Sequence, residues 1–96
     1  MTLQQLQFLV AVCESGLNIS VASRRLKISQ PGISRQLKDL EEELGFHVFE
    51  RQGRSLARLT PAGEEIIVRA TRILREIQNI TRVGLSLRSP RQGSQT

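Results

Sequence analysis

The chain has 96 residues, and a hydrophobic content of 39% is enough for one small core of helices but leaves no room for a second core. A net charge of +5 and a pI near 11.0 favour an acidic partner, most commonly nucleic acid, with charge that serves only solubility as the alternative. One cysteine and one histidine exclude an internal disulfide and a self-contained zinc site. We see no export signal and no apolar run of about 20 residues, so we expect a soluble, cytoplasmic protein that does not contact a membrane.

The residue pattern in the first half of the chain predicts three helices, with a tight turn between the second and the third. Apolar residues recur at helical spacing from Leu3 to Cys13, on more than one face, so the first helix should be buried on two sides. Gly16 should end it, and either Asn18 or Ser20 can cap a second helix. Cys13 lies on the apolar stripe and is interpreted as a small core residue and not as a reactive thiol.

The third helix, residues 29–44, has two unlike faces. Its apolar stripe consists of Ile33, Leu37, Leu40 and Leu44. The opposite side carries hydrogen-bonding and basic groups, namely Gln30, Ser34, Arg35 and Lys38. Ser29 can cap the helix and Pro31 fits its first turn, so its start is well specified. Together with the preceding helix it forms a helix-turn-helix, the arrangement that places a recognition helix in the major groove of DNA.

A short hairpin and a long helix follow. Residues 46–49 have the composition of a β-strand, residues 51–55 that of a basic turn, and residues 56–59 can return as the partner strand. This hairpin would form a wing beside the third helix. His47 is interpreted as a structural residue of the strand, and the three phenylalanines as buried. Thr60 should cap the fourth helix, with Pro61 in its first position.

The fourth helix is longer than one small domain requires. A 4-3-4-3 apolar spacing predicts a helix that packs on a second copy of itself, through Ile66, Ala70, Ile73, Ile77 and Ile80. Ile67 and Leu74 lie beside this stripe and should pack on the first helix; the alternative is that the whole stripe covers the domain's own core. We therefore predict a winged helix-turn-helix domain (residues 1–60), a linker and dimerisation helix (61–87) and a hinge or frayed tail (88–96), in a mainly α fold.

The order of three segments resembles the DNA-binding domain of the LysR-type bacterial transcription regulators. They are LQQLQFLVAV, VASRRLKISQPGISRQLKDLEEELG and VFERQGRSLARLTPAG with its following helix. The wording LQQL, GLNIS, SQPGISRQ and TPAGEEII is similar to the branch that controls cysteine biosynthesis and sulfur assimilation. The resemblance implies a homodimer on double-stranded DNA, or a tetramer in the full-length protein, bound at an interrupted inverted repeat. It also implies a C-terminal effector domain, absent from these 96 residues, that would bind a small-molecule inducer; no cofactor is expected in this chain.

The resemblance also assigns candidate DNA contacts. It places Gln30, Pro31, Ser34 and Arg35 against base edges in the major groove, with Ser29 and Lys38 nearer phosphate. Arg54 matches the wing residue that enters the minor groove, and Arg51 matches a basic position at the base of the wing. From the residues alone, Arg24 and Arg25 are compatible with phosphate contact or with a plain solvated surface.

Two classes of function remain open on the sequence. The first is sequence-specific binding of duplex DNA by a transcription regulator. The second is a helical interaction or dimerisation module whose basic charge is incidental. RNA binding ranks third, because Trp and Tyr, which commonly stack on bases, are absent. Nothing in the chain resembles a catalytic constellation, so no enzyme activity is predicted.

Overall fold

The computed structural model describes residues 1–88, which form four helices and one antiparallel hairpin. The order is α1 (Leu3–Glu14), α2 (Ile19–Leu26), α3 (Gln30–Leu44), β1 (Phe49–Gln52), β2 (Ser55–Leu59) and α4 (Pro61–Arg88). The predicted mainly α fold with a wing and a long last helix is confirmed. Of the tail predicted over residues 88–96, Arg88 instead ends α4, and the remainder lies outside the described residues.

Each helix begins at a polar cap. Thr2 accepts a hydrogen bond from the Gln5 N–H (3.0 Å), and the Gln5 side chain accepts one from the Thr2 N–H (3.1 Å), which is a capping box. Of the two candidates for α2, Asn18 is the cap, because its side chain accepts from the Val21 N–H at 3.0 Å. Thr60 accepts from the Gly63 N–H at 2.9 Å, as predicted for the start of α4.

Both α1 and α2 are followed by a residue in the left-handed conformation, and the next N–H along the chain donates a hydrogen bond back to the last turn of the helix. At the end of α1, Gly16 has φ +72° and the Leu17 N–H donates to the Val12 carbonyl at 2.9 Å. At the end of α2, Lys27 takes φ +59° and the Ile28 N–H donates to the Ser23 carbonyl at 3.1 Å. Both patterns are Schellman motifs, and the second sets the turn between α2 and α3.

The core lies where α1 meets the other three helices and the base of the hairpin. Leu9, Val12 and Ala22 are 0% exposed, and Ala22 lets α2 approach closely. The other fully buried side chains come from α3, from the segment after it and from α4: Ile33, Leu37, Leu40, Val48, Phe49 and Ala70. The predicted burial of α1 on two sides is confirmed, since it packs against α2, α3 and α4.

The hairpin begins later than predicted. Phe46 and His47 are exposed and lie outside the strands, so the interpretations of a buried Phe46 and of a strand residue at His47 were wrong. Val48 does not join a strand because its N–H donates to the Glu41 carboxylate, so that its carbonyl alone, which accepts from the Thr60 N–H, bonds to the returning chain. β1 therefore starts at Phe49, and the predicted turn at residues 51–55 shrinks to Gly53 and Arg54.

The first half of α4 belongs to the domain's own core. Ala70 is 1% exposed, and Ile66, Ile67 and Leu74 pack against the buried cluster. The packing predicted for Ile67 and Leu74 is confirmed. The assignment of Ala70 to a dimer interface is corrected, because its own chain already covers it, whereas for Ile66, which is partly exposed, the assignment stays a prediction. Farther along, α4 leaves the core and its apolar side chains face solvent, with Ile73 44% and Ile80 65% exposed.

Candidate nucleic-acid interface

The burial of one face of α3 decides which side chains it presents to solvent. Ile33, Leu37 and Leu40 are at most 1% exposed and fix the rotation of the helix about its axis. The predicted contacts Gln30, Pro31, Arg35 and Lys38 are exposed on the surface of α3, and Ser34 is half-buried beside them. The structure therefore brings the predicted major-groove residues together on the first two to three turns of one helix.

The start of α3 is held by hydrogen bonds within the α2–α3 turn. The Ser29 hydroxyl accepts from the Gly32 N–H at 3.1 Å, and its own hydrogen stays available for another acceptor. One turn earlier, the Ser23 hydroxyl donates to the Ile28 carbonyl. These bonds fix the backbone just before Gln30, so the N-terminal turn of α3 is presented in one defined position.

The exposed cations of α3 have no acidic partner. Neither Arg35 nor Lys38 forms an ion pair or a hydrogen bond with another side chain among residues 1–88. Arg25 differs, because it donates to the Ser15 hydroxyl at 3.0 Å and lies 3.9 Å from the Glu14 carboxylate. Arg24 donates to the Ser20 hydroxyl at 3.1 Å on the exposed surface of α2. Among residues 1–88, Arg35 and Lys38 therefore present positive charge that is not held in an ion pair.

The hairpin carries a third cation to the same side of the domain. Arg54 is the second residue of the two-residue turn. Gly53 before it has φ +62°, a backbone conformation that residues with a side chain rarely adopt. Arg54 and Gln30 line one groove of about 390 Å³, together with Asn18 and Ser20 at the start of α2. The wing tip thus lies beside the N-terminal ends of α2 and α3.

Arg51 lies in β1 of the wing and contacts the end of α3. Its Nη1 donates to Glu41 Oε1 at 3.2 Å, and its side chain is 31% exposed. The Glu41 carboxylate is 7% exposed and also accepts from the Val48 N–H at 2.7 Å and the Phe49 N–H at 3.2 Å. One nitrogen of Arg51 is therefore engaged inside the domain, and a DNA contact by the rest of this side chain stays a prediction.

Glu41 is the residue that sequence reasoning missed. It follows Leu37 by four positions and so lies beside the apolar stripe. A carboxylate on the flank of a buried stripe is the signal that could have identified it, since such a group needs donors from elsewhere in the fold.

Cys13 fits its predicted role as a core residue. It packs against the buried cluster, and burial raises its pKa to about 11, with a further contribution from the negative charge of Glu14. The thiol therefore stays protonated at neutral pH.

No group of three or more His, Cys, Asp or Glu side chains among residues 1–88 is placed to hold a metal ion. None of the helices in that range combines the length and apolar character that crossing a bilayer requires.

A capped helix packed on a shorter one, with unpaired cations on its outer face and a basic hairpin tip beside it, defines a winged helix-turn-helix domain. The family model described as "Bacterial regulatory helix-turn-helix protein, lysR family" matches residues 3–64. The chain belongs to the LysR family. Its relatives are transcriptional regulators and not enzymes, in agreement with the prediction.

The relatives are longer proteins. The chain is 40% identical over 93 residues to the HTH-type transcriptional regulator CysB of Haemophilus influenzae, covering 97% of this chain and 29% of the relative. It is 46% identical over 83 residues to ClcR of Pseudomonas putida, covering 86% of this chain and 27% of the relative. The chain thus spans less than a third of the length of these relatives.

Two solved structures match nearly from end to end. The BenM DNA-binding domain in complex with catB site 1 DNA is 34% identical, with a TM-score of 0.84 over 93% of this chain and 98% of that one. The CbnR DNA-binding domain in its DNA complex is 37% identical, with a TM-score of 0.79 over 91% of this chain and 98% of that one. Both were solved with DNA bound.

Proposed function

We propose that this chain is the DNA-binding part of a transcription regulator that recognises a specific sequence in duplex DNA. In this proposal α3 enters the major groove, where Gln30, Pro31, Ser34 and Arg35 meet base edges. Ser29 and Lys38 lie nearer phosphate, and Arg54 enters the adjacent minor groove. The observation that carries the proposal is the unpaired charge of Arg35 and Lys38 on the outer face of a helix whose other face is fully buried. The DNA-bound BenM and CbnR domains support it by likeness of fold.

The proposal includes a homodimer bound to an interrupted inverted repeat, with a tetramer as the alternative for the full-length protein. Beyond the domain's own core, α4 exposes Ile73 and Ile80 and keeps Ile77 half-buried beside them. A second copy of α4, related by a two-fold axis, would cover this stripe and present two copies of α3 to two half-sites.

The second candidate function, a helical interaction module that does not bind DNA, draws support from the same exposed stripe. A titration of duplex DNA at two salt concentrations separates the two candidates. A DNA-binding domain should bind saturably, and its affinity should fall steeply with salt because phosphate contacts release counterions. An interaction module with incidental charge should show only weak, non-saturating binding.

Arg35→Ala tests the major-groove contact. On a duplex selected from a random pool, the substitution should cost about 1–3 kcal/mol of binding free energy, and on random duplex much less. Arg75→Ala is the matched control, because it removes the same charge from an exposed position on α4. Equal losses on both duplexes for Arg35→Ala would make Arg35 a phosphate contact and contradict base readout.

Arg54→Ala tests the wing. A narrow minor groove, as in A·T-rich DNA, has the more negative potential, so an arginine inserted there prefers it. The substitution should weaken binding to a site with A·T-rich flanks more than to the same site with G·C-rich flanks. Equal weakening on both, or an unchanged footprint at the outer edges of the site, would argue against insertion.

For the whole protein we propose a cytoplasmic regulator of sulfur and cysteine genes, whose small-molecule inducer binds outside residues 1–96. The similarity to CysB over 97% of the chain supports this, whereas the higher identity to ClcR is confined to 86% of it. A genome-wide map of sites bound by the full-length protein tests the target genes. Residues 1–96 alone should bind DNA equally well with or without acylated serines, and an inducer effect on this fragment would contradict the division.

A further inference from the structure

The carboxylate of Glu41 joins the recognition helix to the wing. It lies near the end of α3, is 7% exposed and accepts three hydrogen bonds, one from the residue before β1 and two from residues of β1. Two come from the backbone N–H groups of Val48 and Phe49, at 2.7 and 3.2 Å, and the third from Arg51 Nη1 at 3.2 Å. A buried carboxylate is tolerated only when donors surround it, so all four residues are held together.

The Arg51 side chain turns toward α3, because its Nη1 donates to Glu41 Oε1 at 3.2 Å. The strand pairing is irregular at this point, where the register shifts between Glu50 and Arg51. Glu50 accepts a hydrogen bond from its cross-strand partner Arg58 at 2.6 Å, both side chains being exposed. The same hairpin therefore holds one arginine turned toward α3 and one turned toward solvent.

The other anchors of the wing lie at its base, where Thr60 donates to the carbonyls of His47 and Val48. In β1 only Phe49 is buried, and in β2 only Leu56 and Leu59 are partly covered. A two-stranded hairpin is marginally stable by itself, so its orientation depends on what it packs against. Arg54 lies in the turn beyond the last pair of the hairpin, Gln52 and Ser55, so a small rotation at the base displaces it.

We infer that Glu41 and Arg51 are positioning residues for the wing: their ion pair sets the placement of Arg54 relative to α3. This inference rests on the proposed function, in which Arg54 enters the minor groove. Neither Glu41 nor Arg51 needs to touch DNA, and they affect recognition only through the place that they give Arg54.

Glu41→Gln is the most informative substitution, because electrostatics and wing positioning predict opposite changes in DNA affinity. The substitution removes a negative charge from a DNA-binding chain, so through electrostatics alone it should strengthen binding. If Glu41 positions the wing, binding to the site with A·T-rich flanks should instead weaken. The preference for A·T-rich over G·C-rich flanks, measured by fluorescence anisotropy, should fall by about the same factor as in Arg54→Ala.

Arg51→Gln is the second variant, and it is combined with Arg54→Ala in a double-mutant cycle. A residue that acts through Arg54 should produce no further loss of flank preference once Arg54 is absent. An independent phosphate contact would instead add its own loss in the double mutant. Arg58→Gln is the matched control, because it removes the same charge from the opposite face of the same hairpin and should leave flank preference unchanged.

Amide NMR spectra of the free variants report on folding. In Arg51→Gln, shifts should concentrate at Val48, Phe49 and the hairpin, while α1 and the first turns of α3 keep their wild-type signals. Should Glu41→Gln not fold, Arg51→Gln and its double mutant decide the matter, since Arg51 is 31% exposed and its loss leaves the backbone donors of Glu41 in place.

The outcomes separate the inference from the proposed function. A wild type without selective DNA binding, or without a flank effect of Arg54→Ala, would refute the proposed function or its wing contact. A wild type that shows both, with Arg51→Gln leaving flank preference intact or adding a loss in the Arg54→Ala background, would overturn only the positioning role.

Discussion

Replacing Ile80 with aspartate should convert the chain from dimer to monomer without unfolding either copy. Ile80 is 65% exposed on α4, so its own chain contributes little to covering it. It is a better position than Ile77, which is half-buried, for a change meant to leave the monomer intact. A second copy of α4 is the surface proposed to bury it.

The exposed fraction gives the expected size of the effect. Full burial of an isoleucine side chain contributes about 1.5–3 kcal/mol, so covering the exposed two-thirds contributes about 1–2 kcal/mol per copy. The two-fold axis doubles this to about 2–4 kcal/mol, a 30- to 1,000-fold rise in the dimer dissociation constant by roughly 1.4 kcal/mol per tenfold. A buried aspartate would add a desolvation cost to the same change.

Sedimentation equilibrium across a range of micromolar concentrations measures the effect. Val68→Asp is the matched control: Val68 is 50% exposed on the same helix, roughly 120° around the axis from Ile80. This control should remain dimeric, whereas Ile80→Asp should sediment as a monomer with a thermal melt that no longer depends on protein concentration. Binding to a full inverted repeat should fall towards that of a half-site. A monomeric wild type, or a dimeric Ile80→Asp, would refute the interface.

Two other predictions concern the domain itself. A Cβ built at Gly63 would lie 2.1 Å from the Val48 carbonyl oxygen, so Gly63→Ala must push α4 off the base of the wing and should destabilise the domain by about 1–3 kcal/mol or more in a thermal melt. Gly84→Ala in the same helix meets nothing within 4 Å and should be neutral or stabilising, and an equal loss from both variants would contradict the close approach. Folding raises the pKa of Cys13 from 9.0 to about 11, so at pH 8 its thiolate, and hence its rate of alkylation, should be about 100-fold lower in the native than in the urea-unfolded chain. Equal alkylation rates in the two states would show that the thiol is not desolvated. Between pH 9 and 11 the native state keeps a proton that the unfolded chain loses, so the contribution of Cys13 to stability is complete below pH 9 and declines as the pH rises towards 11.

The elements that local chemistry determines could be predicted from the sequence. The stripe of Ile33, Leu37 and Leu40 set the rotation of α3, and with it the exposure of Arg35 and Lys38. Ser29 and Thr60 mark helix starts through bonds to N–H groups three residues away, and Gly45 ends α3 with φ +84°. All of these interactions span at most a few residues, so the pattern of residue types is enough to predict them.

What only the tertiary structure decided depends on groups far apart in the chain. Residues 46–48 have strand composition, yet β1 begins only at Phe49, because the Val48 N–H donates a hydrogen bond to Glu41, seven residues back. The Val48 carbonyl accepts from the Thr60 N–H, twelve residues on. Arg51 meets a buried carboxylate ten residues away and so faces inward, although its sequence context resembles that of a DNA contact. The isoleucine stripe is continuous in sequence, but the core partly covers Ile66 and leaves Ile80 exposed, because α4, with 28 residues, is much longer than the 12-residue α1 on which it packs. Periodicity shows which side chains share a face, whereas the neighbours that cover that face come from the packing of the whole domain.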